Sequence, residues 1–345
     1  MPGQKRKSTA SHAEQKSKSL KETSKPSAVF TPTKPRHHTV SIALPGSIIA
    51  NALTHDQKTA LAGHIARACA VFCVDEVIVF DDGQAETRPP EKDGYTAFTD
   101  PNFFLYHLLS YLETPPHLRK KLFPMHPDLR TAGSLPSLDM PHHLRSDEYC
   151  PYREGAVVRT GVRGSNASGV LVDCGLQQPV FVPVEVDLNT RVTIKLDPAG
   201  GEDGEAVSPD APREEAGYYW GYAIRQASSL GNVFTECPYD GGYDISIGTS
   251  ERGCDARELL EAGSEFAVTP SWDHLLVVFG GVAGLEPALD ADEALLRTGV
   301  DRVEMVFDHW VNLVPGQGSR TIRTEEALWI GLTELRQLVV TRLAA

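Results

Sequence analysis

The stretch from residue 311 to residue 328, VNLVPGQGSRTIRTEEAL, decides how the rest of this 345-residue chain is interpreted. It combines Pro315, Gly316 and Gly318 with hydroxyl residues and arginines, and two glutamates follow just before an apolar run. Ordering such a loop is costly, because glycine loses more backbone freedom on folding than any other residue. We expect this cost to be offset by a function of the loop, namely that its glycines let the backbone approach a ligand closely.

The loop leads into a helix that is expected to run from about residue 325 to residue 343. Thr324 is expected to cap this helix. Glu325 and Glu326 in its first turn suit the positive end of the helix dipole. Taken by itself, this Gly-rich loop could equally be a tight turn, and it indicates a ligand site only in combination with the other Gly-rich loops described below.

The beginning of the chain predicts a parallel sheet. Residues 39–44 (TVSIAL) and 75–80 (DEVIVF) have strand patterns, and between them Thr54 and Gln57 form a candidate capping box ahead of a helix. A second helix is expected to begin at Asp100-Pro101. Strand, helix and strand in this order are typical of a βαβ unit and therefore of an α/β fold.

From residue 152 to residue 196 the pattern changes to short strands separated by Gly, Asn and Pro turns. This pattern predicts a five-stranded barrel of the oligonucleotide-binding type. An acidic, Gly/Pro-rich strip at 198–215 is expected to be its exit linker. The α/β signature then returns, with strands expected at 218–224, 243–247, 275–279 and 305–311 and a short helix at 228–236.

The predicted organisation is thus one α/β domain with a small β-barrel inserted in it. Its parts are a disordered basic tail (1–37), the first half of the α/β domain (38–150), the inserted barrel (151–214) and the second half of the α/β domain (215–345).

Charge is divided unevenly along the chain. Residues 1–38 hold nine Lys/Arg and two Asp/Glu, whereas the remainder holds 24 basic and 44 acidic residues. A basic tail on an acidic body indicates a tether or an address element, and Lys5-Arg6-Lys7 is compatible with a nuclear signal. No stretch is long enough to cross a bilayer, and six scattered cysteines without C-x-x-C spacing indicate reduced thiols. A nuclear or nucleolar location is expected, with the cytoplasm as the alternative.

Three Gly-rich loops follow predicted strand ends: residues 248–253, residues 280–284 and the stretch quoted above. Ligands bind at the carboxyl ends of strands in open α/β sheets, so three such loops in one half-domain predict a site there. No P-loop, G-x-S-x-G or H-E-x-x-H motif occurs, which argues against nucleotidase and hydrolase chemistry. No metal site is expected, and His142 and His143 are predicted to lie at a surface or hinge.

At this point the motifs closely resemble a known family. IGTSERG, VVFGG, VNLVPGQGSRTIRTEEA, YYWGYAIR and the early HTVSIALPGSI are similar to those of the SPOUT methyltransferases, in the eukaryotic and archaeal branch with an inserted oligonucleotide-binding (OB-fold) barrel. The likeness extends from His38 to about Leu338. It implies an α/β fold whose C-terminal segment forms a trefoil knot, S-adenosylmethionine bound in that knot, RNA as substrate and a homodimer.

The resemblance also implies a set of site residues. Gly316 and Gly318 are expected to give clearance where the loop passes through a tight crossing and meets the cofactor. Arg252, Arg320 and Arg323 are candidates for holding phosphate or base, with salt bridges to the acidic body as the alternative, and Glu251 is a candidate proton acceptor. The expected cofactor-binding residues are Thr249, Gly280, Gly281, Asn312, Pro315, Gly316, Gln317, Gly318, Ser319 and Ile322.

The function expected is therefore an S-adenosylmethionine-dependent RNA methyltransferase acting on a ribosomal RNA base, with N3 of uridine as the preferred target atom. The alternative is a non-catalytic RNA-binding or assembly protein that retains a cofactor-binding knot. Apolar residues on the final helix exceed one core-facing stripe, which predicts that this helix lies in a homodimer interface. The barrel and tail are expected to hold RNA, unless the barrel is a spacer or protein-docking module; its available cations are Arg159, Arg163, Arg191 and Lys195.

Overall fold

Two β-sheets make up the framework of the protein, for which a computed structural model describes residues 32–85, 87–89, 93–163, 167–197, 203–261, 263–269 and 271–344. One sheet has six parallel strands in the order β11-β9-β10-β1-β2-β8, and the other has five antiparallel strands in the order β5-β4-β3-β6-β7. The strands are β1 (Thr39–Pro45), β2 (Glu76–Phe80), β3 (Tyr152–Arg163), β4 (Ala167–Asp173), β5 (Val180–Val182), β6 (Arg191–Leu196), β7 (Gly204–Val207), β8 (Ala223–Ala227), β9 (Ile245–Asp255), β10 (His274–Val278) and β11 (His309–Asn312).

Helices cover both faces of the parallel sheet. They are α1 (His55–Phe72), α2 (Pro101–Glu113), α3 (Pro116–Leu122), α4 (Ala211–Ala216), α5 (Leu230–Thr235), α6 (Glu286–Asp290), α7 (Glu293–Arg297), α8 (Thr324–Glu334) and α9 (Arg336–Ala344). Short 3-10 turns lie at Gly46–Asn51, Pro127–Leu129, Ala132–Ser134, Ala256–Leu259 and Val303–Val306.

Side chains alternate between the two faces of each central strand. In β1, Ile42 and Leu44 pack with α1, α2 and α8, while Ala43 packs on the opposite face with α5 and α6. Since parallel strands with helices on both faces are buried on both sides, their sequences are continuously apolar. The runs SIAL, VIVF and LLVV have this property, and the prediction of an α/β fold with a parallel sheet is confirmed.

The local signals at the start of the chain are also confirmed. Thr54 accepts a hydrogen bond from Gln57 N, and the Gln57 side chain accepts one from Thr54 N, so the capping box at the start of α1 is complete. Asp100 caps α2 in the same way, accepting a hydrogen bond from Phe103 N. These caps depend on residues three positions apart, which explains why the sequence shows them.

The antiparallel sheet is inserted between β2 and β8 of the parallel sheet. Its strands enclose a small separate core that includes Val157, Val172 and Ile194. An isolated bridge between Phe181 and Asp203 brings β5 back toward β7, so the sheet is strongly curled. The fifth strand, β7, lies within the strip that was predicted to be a linker, and so does α4; that prediction is wrong.

A buried polar network joins the two sheets. Arg191 of β6 donates to both oxygens of Glu113 at the end of α2, at 2.6 and 3.1 Å, and to Glu154 of β3 at 2.6 Å. Trp220 Nε1 donates to Glu154 at 2.8 Å, and His142 Nε2 lies 2.8 Å from Glu113 Oε1. Burial by itself would raise the pKa of Glu113, but Arg191 and His142 outweigh burial and hold this pKa below its ordinary value.

This network corrects two predictions. His142 is buried and His143 is half-buried against Glu113, and His143 Nε2 is 2.6 Å from the Glu113 carbonyl oxygen, so neither side chain is fully exposed. The strand expected at 218–224 begins only at Ala223, because Gly221 has a φ of +91° that breaks the extended backbone. At Gly221 a Cβ would lie 2.4 Å from Glu113 Oε1, so the network requires glycine there.

Two further boundaries differ from the predictions. Folded structure begins before residue 38, because Arg36 pairs with Asp75 at 2.7 Å and its backbone N–H donates to Arg213 O. The basic tail between residues 1 and 31 lies outside the described residues. The final helix is divided into α8 and α9 at Leu335, and the N-cap of α8 is Arg323 rather than Thr324.

Many of the apolar side chains of α8 and α9 are buried in the core of the protein itself. Leu328, Leu332, Leu335 and Leu338 are all buried in the core beneath the parallel sheet, and Ile330 is half-buried. The excess of apolar residues that suggested a dimer interface is therefore explained mainly by the protein's own core. The dimer itself stays a prediction.

The buried network leads to a first prediction. Glu113→Gln keeps the shape of the side chain but removes the charge opposite Arg191, and we expect it to lower the free energy of unfolding by about 2–4 kcal/mol at pH 7. The folded pKa of Glu113 lies below the unfolded value of about 4.3, so its contribution is complete above that value and is lost as pH falls toward the folded pKa. Urea unfolding should therefore show the difference from wild type narrowing below about pH 4.

The matched control is Glu293→Gln, which removes a carboxylate from an exposed pair with Arg297. Exposed pairs contribute little, so its effect should stay within about 0.5 kcal/mol at any pH. A Glu113→Gln protein as stable as wild type at pH 7 would show that the network does not hold the two sheets together.

Candidate active site

The carboxyl ends of β9, β10 and β11 lie side by side at one edge of the parallel sheet, because β9 pairs with both β10 and β11. The three Gly-rich segments of the sequence start from these ends. Between them lies a cavity of about 240 Å³. Chain segments separated by up to about 70 positions in the sequence thus form one site.

The first segment, residues 249–253, is an excursion from a strand rather than a simple loop. Trp310 of β11 pairs with Gly248, but the next residue, Val311, pairs with Cys254, so five residues of β9 leave the ladder between these pairs. At Gly253 a Cβ would lie 2.4 Å from Val311 N, so only glycine allows the returning backbone to pass this close to β11. The excursion directs Ser250, Glu251 and Arg252 into the wall of the cavity.

Three side chains tie the segments together. Thr249 Oγ1 donates to Val278 O at 3.1 Å, and Asn312 Nδ2 donates to Glu251 O at 2.8 Å. Thr324 Oγ1 donates to Gly280 O at 2.8 Å, which connects the first turn of α8 to the end of β10. The polar side chains of Thr249, Asn312 and Thr324 therefore hold backbone, and each fixes one wall of the cavity relative to another.

Most of the residues singled out from the sequence meet at this cavity. Those that line it are Thr249, Glu251, Arg252, Gly280, Gly281, Asn312, Gln317, Arg320 and Ile322. Those that do not contribute to its lining are Pro315, Gly316, Gly318, Ser319 and Arg323, all of which belong to the same C-terminal segment. Their roles in binding stay predictions.

The glycines that are required because the protein's own backbone passes close to them are not the two that the sequence suggested, Gly316 and Gly318. At Gly280 a Cβ would lie 2.5 Å from the carbonyl carbon of Gly284, which is rigid backbone. At Gly316 and Gly318 a Cβ would meet nothing within 4 Å among the described residues, although Gly316 has a φ of +78°. Close approach of the backbone within this site therefore requires glycine at Gly253 and Gly280, whereas at Gly316 and Gly318 only contact with a ligand could demand clearance.

The charged groups of the site differ in how they are paired. Arg252 forms an ion pair with Glu286, so the salt-bridge alternative applies to this arginine. Arg320 and Arg323 have no ion-pair partner among the described residues, and both are exposed. Two arginines beside the cavity are thus available to an anionic ligand although the body of the protein is acidic.

Two acidic residues of the site were missed by the sequence analysis. Glu286 begins α6 directly after the Gly-rich loop and lines the cavity, and its only sequence signal was this position. Asp82, two residues after the end of β2, is buried behind Gly281 and accepts a hydrogen bond from Ser47 Oγ at 2.6 Å. Burial raises the pKa of Asp82, although the bond from Ser47 opposes this shift.

One cluster elsewhere has the residue types of a metal site. The ring nitrogens of His107 and His126 each lie 3.2 Å from the fully buried Asp128. Thr96 also donates its backbone N–H and its hydroxyl to this carboxylate, at 2.9 and 2.7 Å. His126 Nδ1 itself accepts a hydrogen bond from the Asp128 backbone N–H, so the buried carboxylate is held by Thr96 and by the ring of His107.

The cations of the inserted sheet are mostly engaged. Arg191 belongs to the network with Glu113, and Lys195 pairs with Glu215 at 2.5 Å. Arg159 is exposed and has no ion-pair partner among the described residues, while the side chain of Arg163 lies outside them. Of the four cations expected to meet RNA, only Arg159 is seen to be free.

A family model and individual relatives both relate this chain to RNA methyltransferases. Residues 39–335 match a family described as "Putative RNA methyltransferase". A 28S rRNA (uridine-N(3))-methyltransferase from Homo sapiens is 46% identical over 308 residues, which cover 87% of this chain and 78% of the human protein. The Drosophila melanogaster protein of the same name is 43% identical over 324 residues, 90% of this chain and 64% of its own length.

A solved structure is also similar, but only distantly. The SpoU methyltransferase AviRb from Streptomyces viridochromogenes, in complex with the cofactor AdoMet, has a TM-score of 0.31 and 12% identity, with 88% of this chain and 59% of that chain covered. A likeness at this level carries no argument about the site.

The glycine contacts give a second prediction. Gly280→Ala places a methyl group against the backbone of Gly284, and we expect it to lower the free energy of unfolding by about 1–3 kcal/mol in urea denaturation. Gly318→Ala is the matched control from the same site: it meets open space, so its effect on stability should stay within about 0.5 kcal/mol. Equal stability of the two variants would mean that β10 and the loop after it do not pack this closely.

Proposed function

The chain belongs to the RNA methyltransferase family whose members match it from residue 39 to residue 335, and from this premise we propose that it transfers a methyl group from S-adenosylmethionine to N3 of a uridine in ribosomal RNA. The proposed substrate is the one for which its human and Drosophila relatives are named, a uridine of 28S rRNA. The observation that carries the proposal is the glycine-lined cavity, where three strand ends of the sheet meet.

The residue types that line the cavity are suited to binding the methyl donor, S-adenosylmethionine. Leu313, Ile322 and Ala327 supply apolar surface for a flat adenine ring, and the backbone at Gly280 and Val314 can approach its edge. Arg252 and Glu286 supply charge at another part of the wall. We assign donor binding to this cavity, with contributions from Thr249, Gly281, Asn312 and the segment from Pro315 to Ile322.

Bound S-adenosylmethionine supplies a methyl group that is already activated by its positive sulfur. The protein must then hold the uridine in line with that methyl group and exclude water. The proton on N3 has to leave as the carbon–nitrogen bond forms, so a proton acceptor and a nearby cation both help. In this proposal Glu251 is the acceptor and Arg323 stabilises the deprotonated ring or the adjoining phosphate, while Arg252 is engaged with Glu286.

The trefoil knot is part of the proposal. The segment after β11 lies close to the end of β10: Thr324 bonds to Gly280 O, and Gly331 of α8 packs against Leu313 and Phe279. These contacts support a C-terminal segment threaded through the loops of the site. Stretching single molecules until they unfold tests this, because a knotted chain extends less than its residue count predicts.

The inserted sheet is proposed to be an OB-like barrel that helps to hold RNA, and the predicted domain limits at residues 150 and 214 are retained on this basis. Its curl and its separate core support a barrel. Arg159 is its available cation, and the basic tail would add further contacts to phosphate. Because the proposed substrate is ribosomal RNA, we expect the protein to be located in the nucleolus.

A homodimer is proposed on the resemblance alone, since the apolar face of α8 is mostly buried within the chain. Light scattering at micromolar concentration distinguishes a dimer from a monomer. No helix among the described residues is long and apolar enough to span a membrane.

The proposed activity gives a third prediction. Purified protein incubated with tritiated S-adenosylmethionine and ribosomal RNA should transfer label, and digestion followed by mass spectrometry should yield 3-methyluridine. Donor binding without transfer to any RNA would favour the non-catalytic alternative. Transfer that yields a different methylated nucleoside would overturn the assignment to uridine N3 while leaving the methyltransferase activity in place.

The free arginines give a fourth prediction. Arg323 does not line the cavity, so Arg323→Ala should leave donor affinity unchanged while RNA affinity falls by roughly 3- to 10-fold. If Arg323 contacts one phosphate, the slope of log affinity against log salt should decrease by about 0.7–0.9. Arg297→Ala, which removes an exposed arginine from α7, is the matched control, and an equal salt slope in both variants would exclude a phosphate contact at Arg323.

A further inference from the structure

Glu286 has one carboxylate oxygen that is bound and one that is not. Oε1 forms the ion pair with Arg252, whereas Oε2 is buried and has no hydrogen-bond partner among the described residues. A carboxylate oxygen that is removed from water without a hydrogen-bond partner is unfavourable, so a site that keeps one is expected to receive a donor from elsewhere. Glu286 lines the cavity assigned to the methyl donor and its side chain is 34% exposed, so a rotation about its terminal bond can turn Oε2 toward a ligand that supplies the missing partner.

The backbone beside Glu286 is shaped for this carboxylate. Gly284 has a φ of +83°, and a Cβ at this position would lie 2.4 Å from Glu286 Oε2. Any other residue would both strain the backbone and displace the oxygen. The loop before α6 thus reserves space for this oxygen.

The charges on this part of the wall are complementary to a zwitterion. Arg252 keeps further N–H groups after pairing with Glu286, and Glu286 keeps Oε2, so a positive and a negative group lie side by side. An amino-acid end carries a carboxylate and an ammonium group close together, and each would meet its opposite here. The ribose and adenine of the donor are neutral and do not require such a pair.

We infer that Glu286 and Arg252 form the subsite for the amino-acid end of the methyl donor, with Glu286 Oε2 accepting a hydrogen bond from its ammonium group and Arg252 binding its carboxylate. The inference rests on the proposed function and adds to it the residue that recognises the ammonium group at the amino-acid end of the donor. It also gives a reason for the ion pair, which holds the two groups at a fixed separation.

The inference is tested by isothermal calorimetry with three compounds: S-adenosylmethionine, S-adenosylhomocysteine and 5′-methylthioadenosine. The first two share the amino-acid end, and the third lacks it. Glu286→Gln should weaken the first two by about tenfold or more and leave the third within about twofold. Glu293→Gln, which breaks the exposed pair with Arg297, should change none of the three affinities.

Other patterns would overturn the inference. Weakening of all three compounds would place Glu286 on the ribose or adenine, and weakening of S-adenosylmethionine alone would place it on the sulfonium. Equal affinities in wild type and Glu286→Gln would show that Oε2 takes no part in binding. If wild-type protein binds none of the compounds, the proposed function fails first and this inference fails with it.

A double-mutant cycle separates direct contact from positioning. If Glu286 acts only by holding Arg252, then Glu286→Gln should have no further effect on S-adenosylmethionine affinity in an Arg252→Ala protein. A direct bond to the ammonium group predicts a further loss of several-fold in that background. Absence of any further loss would overturn the direct contact.

Discussion

The pairing of β11 with β9 is the constraint on which the site depends. After Trp310 and Gly248 pair, the ladder resumes only at Val311 and Cys254, so the intervening residues must leave the sheet at its carboxyl edge. Gly253 lets this excursion return against β11 without a clash. The excursion carries Glu251 and Arg252, and its register therefore sets where the Glu251 carbonyl meets Asn312 and where the Arg252 side chain meets Glu286.

The net charge of the protein body differs in sign from the charge of Arg320 and Arg323 beside the cavity. The body is strongly acidic, yet contacts with phosphate dominate the affinity of most RNA-binding proteins. Arg320 and Arg323 reconcile these facts, because they are exposed beside the cavity and have no acidic partner among the described residues. Many other arginines, such as Arg36, Arg191 and Arg225, are neutralised in buried or half-buried pairs and serve the fold.

The inserted sheet is anchored by Arg191, one of the four cations that the sequence suggested for RNA binding. Arg191 bridges Glu113 and Glu154, and Trp220 and His142 complete the network from the second and first halves of the α/β domain. Such a network orients the inserted sheet relative to the α/β domain, because Glu113 lies on helix α2 whereas Arg191 and Glu154 lie on strands of the inserted sheet. In RNA binding, the insertion can use only cations outside this network, of which Arg159 is the described example.

Local physics explains what the sequence by itself determined. The capping box at Thr54 and Gln57, the buried runs of β1, β2 and β10 and the family motifs are properties of neighbouring residues, and they predicted the α/β fold, the methyltransferase family and the cluster of Gly-rich segments. Only tertiary structure decided that His142 is buried, that Arg252 is paired, that Glu286 belongs to the site and that clearance is needed at Gly280. These properties depend on partners far away in the chain, whose positions follow from strand order and register, and a single sequence does not encode that order as a local pattern.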